Sequence, residues 1–140
     1  DPKKGYNELL PERMRRILKL AKEKNIKVIT NMGAANTQAA VEVTKNIAKE
    51  LGIRELKIAG VLGDDIYNKI DSYKDKEILE LGYKLKDLEG EILSANVYLG
   101  TEGIVEALEN GADIIITGRV ADPSLFLAPM IYEFKSTIKD

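Results

Sequence analysis

Four short aliphatic runs constrain this chain more than any other feature: IKVITNMG, LKIAGVLG, ILSANVYLG and DIIITGR, each rich in Ile, Val or Leu and each running into a glycine. Runs of this kind suit strands buried on both faces, and the glycine suits the turn that follows. They predict strands over Ile26–Thr30, LKIAGVLG, Leu93–Leu99 and Asp113–Thr117. Helical spacing fills the intervals. Met14, Ile17, Leu18 and Ala21 follow Pro11 at i, i+3, i+4 and i+7, and Ala40, Val43, Ile47, Ala48 and Leu51 form a second stripe. Asn36 or Thr37 is the expected N-cap of that second helix, and Gly52 its left-handed close. A third helix is expected over Gly103–Asn110, with Ile104, Val105 and Leu108 inward and Asn110-Gly111 as its stop. A last one starts at Asp122-Pro123, an N-cap carboxylate followed by proline, and Pro129 should kink or split it.

Strands alternating with helices make the fold class α/β: a Rossmann-like parallel sheet with helices on both faces, three layers α/β/α, in one domain over residues 1–140. Residues 66–92, rich in Lys, Asp, Glu and Tyr, are expected to form a helical excursion. Right-handed crossovers put every strand's C-terminal end on one edge, where open sheets of this type bind ligands. The polar residues at the four exits should therefore converge: Asn31 with Gly33, Gly63 with Asp64 and Asp65, Asn96 with Gly100 and Glu102, and Gly118 with Arg119 and Asp122.

Composition narrows the chemistry available there. The 140 residues contain no cysteine and no histidine, which removes thiolate metal sites, disulfides and the usual base near neutral pH. Any proton transfer falls to Asp, Glu, Lys or Tyr. Lys/Arg number 21 and Asp/Glu 23, spread along helical faces rather than in blocks, so neither nucleic acid nor an anionic membrane is the expected partner. No apolar run approaches a membrane span and the start has no signal-peptide core, so the expected location is cytoplasmic. A beginning at Asp1 and an abrupt end at STIKD suggest a piece of a longer chain.

Arg119 lies between a strand end and a helix N-terminus, where main-chain N–H groups and the helix dipole also favour an anion. A small-molecule carboxylate or a phosphate suits it; an ion pair with Asp122 or Asp64 is the plainer alternative. Asp64 and Asp65 suit Mg²⁺, or proton transfer by one of them, and an Asx-type turn capping the next segment accounts for the pair equally well. Asp122 is the second candidate for proton handling. Asn31 and Asn96 are candidate donors to a ligand oxygen, with turn formation the alternative for Asn31. Glu102 reads as a dipole-favoured first-turn acid, with an acid/base group facing the cleft as the alternative, and Tyr98 as a core aromatic, with a cleft hydroxyl as the alternative. The chain lacks G-x-G-x-x-G, a Walker lysine loop, a G-x-S-x-G elbow and His/Cys metal spacing.

ITNMGAANTQAAVE, VLGDD and SANVYLGTEGIVEALENGADIIITGRVADPSLFLAPMIYEF together resemble the acyclic terpene utilisation family, over Asn31 to Phe134. The resemblance implies the middle part of a longer protein, linked to breakdown of acyclic terpenes and branched acids through acyl-CoA esters. Its partners would be a small carboxylate or CoA ester, and a homo-oligomer is compatible with it. It marks Asn31, Gly33, Asn36, Gly63, Asp64, Asn96, Gly100, Gly118, Arg119 and Asp122 as motif positions, without assigned roles. This chain departs from the family where a second glycine is usual, at Ala34 or Ala35, and at Thr37, often proline. It departs again at Tyr132, where relatives carry a histidine, and in the residues after Phe134.

Overall fold

In the computed structural model, which describes residues 4–134, helix α1 (Leu10–Lys24) opens the fold and buries Leu10, Met14, Leu18 and Ala21, the stripe its spacing predicts. It ends at Asn25, in the left-handed conformation, whose N–H bonds back to the helix. The Ile26 N–H also returns to Ala21, so β1 begins two residues later than expected, at Val28–Thr30. Helix α2 (Thr37–Glu50) starts at Asn36, whose side chain accepts the Ala39 N–H, and Gly52 closes it at φ +68°. Strand β2 (Ile58–Val61) follows.

Residues 66–92 are not the helical excursion their composition suggests. They fold as a 3₁₀ helix (Tyr67–Tyr73), a two-stranded hairpin of β3 (Glu77–Ile78) and β4 (Tyr83–Lys84), and a 3₁₀ turn (Leu85–Asp87). Their apolar stripes are too short to bury a continuous helical face, and nothing in this stretch is fully buried. Helix α3 (Glu102–Glu109), strand β5 (Ile114–Thr117) and helix α4 (Ser124–Phe134) complete the chain. Helix α4 continues through Pro129 without splitting. The residues after Phe134, where the family departure was placed, lie outside those described.

The three long-range strands pair in parallel in the order β1-β5-β2, with Ile114 opposite both Val28 and Ile58. Strand β5 is thus central, and all four of its residues are buried. Its side chains alternate. Ile114 and Ile116 pack with α1 and α2 on one face, and Ile115 packs with α3 and α4 on the other, which produces the three expected layers. The link from β1 to β2 passes over the α2 face and the return from β2 to β5 over the α3 face. Reversing both direction and face keeps the two crossovers of one hand.

The fourth expected strand, Leu93–Leu99, does not join this sheet. Its residues are exposed or half-buried, unlike the fully buried β5, and the segment crosses the C-terminal ends of β2 and β5 as a strap. It makes two isolated bridges, Asp65 with Asn96 and Leu99 with Val120. Among the described residues no helix is long and apolar enough to cross a membrane.

Candidate functional site

The chain leaves β1 toward α2 on one face and leaves the adjacent β5 toward α4 on the other. Divergence of neighbouring exits opens a crevice between them, the switch point at which open α/β sheets bind ligands. A cleft of about 520 Å³ lies there, within the range of roughly 300–1,000 Å³ common for small-molecule sites. Five of the residues named from sequence line it: Asn31 from the β1 exit, Asn96 from the strap, and Gly118, Arg119 and Asp122 from the β5 exit.

The other named residues are placed differently. Gly63 and Asp64 line a neighbouring hollow of about 230 Å³, with Ala34 and Ala35 lining both. Gly33 is buried beneath the cleft, its N–H on the Thr117 carbonyl; a Cβ there would stand 2.5 Å from that oxygen. Gly33 lets the β1 exit lie directly on the end of β5. Gly100 and Glu102 line neither cavity. Asp65 accepts the Tyr67 N–H, the local turn that its sequence context allows.

Asp64 fastens the site together. It is 7 % exposed, and its Oδ2 accepts both the Arg119 main-chain N–H at 3.0 Å and the Asn96 side-chain amide at 3.2 Å. Its own carbonyl accepts the Val97 N–H, so one residue joins the β2 exit, the strap and the β5 exit. Gly118 permits this approach: a Cβ would lie 2.7 Å from Asp64 Oδ2 and 3.0 Å from the Ala34 carbonyl.

Arg119 pairs with neither Asp64 nor Asp122. Its side chain is exposed, and among the described residues its guanidinium makes no ion pair or hydrogen bond; Asp64 holds its backbone instead. Asp122 does not cap α4 through its carboxylate either. The turn before α4 is made by main-chain bonds, Ser124 N–H to Ala121 and Leu125 N–H to Asp122, and the carboxylate stays open on the cleft. Tyr98 is not a core residue: it is 71 % exposed and lines the cleft.

Gly5, Asn7 and Ser94 also line the cleft and carried no local signal. Gly5 and Asn7 reach it because the N-terminal segment lies along the β1 exit, with the Asn7 N–H on Met32 and the Gly5 carbonyl accepting from Ala35. A third cavity, about 410 Å³, follows the free edge of β2 against α3 and contains none of the candidate site residues named from sequence. No group of three or more acidic residues able to hold a metal ion occurs among the described residues.

Over residues 1–140 the chain matches the family described as acyclic terpene utilisation family protein AtuA. No curated protein and no solved structure matches it.

Proposed function

The chain belongs to the acyclic terpene utilisation family, and from that premise we propose that its switch-point cleft binds a carboxylate or acyl-CoA intermediate of branched or terpenoid acid catabolism, as a cytoplasmic enzyme domain. The observation that carries this reading is the unpaired Arg119 guanidinium, open to a cleft of about 520 Å³ beside the amides of Asn31 and Asn96. A guanidinium offers a planar fork of donors suited to a carboxylate or to the phosphates of a CoA ester. Asp122 is the acid or base in reach of such a ligand. Asp64, whose Oδ2 already serves two donors, holds the site in shape rather than moving a proton.

A non-catalytic metabolite-binding subunit is the second reading. It is favoured by the scarcity of acid groups: Asp64 is committed to two donors, and among the described residues Asp122 is the one carboxylate lining the cleft. Thermal shift against short and branched acids, their CoA esters and Mg²⁺ tests ligand binding, because a ligand of the native state alone raises apparent stability. The expected outcome is a shift with an acid or a CoA ester that Arg119→Ala abolishes while its circular dichroism stays that of the parent. A shift unchanged in Arg119→Ala, or none with any of these, sinks the proposal. Turnover of the bound ester, lost in Asp122→Ala, separates the enzyme from the binding subunit.

A further inference from the structure

Arg119 and Asp122 carry opposite charges three residues apart, both open to one cleft, yet they do not pair. The main chain holds them in place. The Arg119 N–H is bound by Asp64, and its carbonyl accepts the Leu99 N–H of the strap. The Ala121 N–H bonds to the Leu99 carbonyl, and the Asp122 carbonyl accepts from Leu125. Three residues put their Cα atoms at most about 11 Å apart, and both residues line the one cleft of about 520 Å³ in which a small molecule would sit.

A simple aliphatic acid suits only half of this cradle. Its carboxylate satisfies Arg119 but brings a second negative charge toward Asp122, and like charges repel. A hydrogen-bond donor on the ligand removes the conflict by giving Asp122 a partner. Asn96 adds a second acceptor. Only its Nδ2 can donate to the Asp64 carboxylate, so its Oδ1 is the atom left for a ligand.

We infer that the ligand is a carboxylic acid with a hydrogen-bond donor, a hydroxyl or an ammonium, within a few atoms of its carboxylate: the anion on Arg119, the donor on Asp122 and the Asn96 carbonyl oxygen. This rests on the anion-binding reading of the cleft and narrows it to hydroxy or amino acids.

Calorimetric titration of the 140-residue chain with butyrate, 3-hydroxybutyrate and 3-aminobutyrate tests it. One of the two substituted acids should bind at least about tenfold more tightly than butyrate, the scale of one hydrogen bond to a charged group. The tighter of the two identifies the donor. Asp122→Ala should erase that advantage and tighten butyrate binding, since its carboxylate then meets no like charge, whereas Arg119→Ala should abolish all three. Among the described residues neither side chain bonds to the protein, so both variants keep the fold. Equal binding of all three acids, still lost in Arg119→Ala, overturns this inference and leaves the anion-binding reading standing. No binding by any acid, or binding that survives Arg119→Ala, removes both.

Discussion

Ala34 shows what one residue can reveal about a site. It holds φ +48°, in the left-handed region, at the rim shared by the cleft and its neighbouring hollow. The family resemblance expects a glycine at Ala34 or Ala35, and the backbone identifies position 34 as the one that calls for it. An L-residue pays roughly 1–2 kcal/mol in that conformation, partly offset because glycine loses more freedom on folding, about 0.5–1 kcal/mol. Ala34→Gly should therefore stabilise the chain by about 0.5–1 kcal/mol, measured as a rise in the midpoint of denaturant unfolding. An unchanged or lower midpoint would show that position 34 is not strained. The roles of Arg119 and Asp122 also divide at this scale. Sequence named both, and the structure sets both on the rim of one cleft, but which carboxylate meets the Arg119 main chain is settled by Asp64, 55 residues away, which local pattern does not encode.

At the level of elements, α1, α2, α3 and the three long-range strands were legible because each carries its own period. The stretch after β2 was not. From Asp65 to Gly100 no residue is fully buried, and Leu79, Leu81 and Leu93 are exposed. Without a buried face, composition favoured helix, while the chain settled into short turns and one hairpin. Such a segment opens at low free energy, since little apolar surface is exposed when it does. In native-state hydrogen exchange the amides of residues 66–93 should exchange well before those of β5, whose four side chains are all buried. Equal protection in the two regions would contradict this account. The expected strand at Leu93–Leu99 failed on the same ground: none of its residues is fully buried, unlike those of β5, and it bridges loops instead.

Across the whole molecule, Asp113 ties the three strands together at the end opposite the cleft. Its carboxylate accepts the Lys57 main-chain N–H at 3.0 Å, ahead of β2, and the Lys27 ammonium at 2.9 Å, ahead of β1. Burial raises its pKa, but the Lys57 N–H and the Lys27 charge outweigh that and hold it below the ordinary value of 3.8. A depressed folded pKa means stability that is present above the unfolded pKa and lost as pH falls through the folded one. Asp113→Asn should therefore melt below the parent at neutral pH, and the gap should narrow as the pH is taken down through and below about 3.8. A gap independent of pH would assign the loss to packing rather than charge.

The sequence by itself determined the α/β class, the helical stripes, the caps at Asn36 and Gly52 and the placing of polar residues at strand exits, because each depends on residues a few positions apart. Only the tertiary structure decided that β5 lies between β1 and β2, that the strap crosses their ends, and that Asp64 serves as a fastening while Arg119 and Asp122 stay open. Those outcomes depend on contacts between residues tens of positions apart, such as the 55 residues between Asp64 and Arg119.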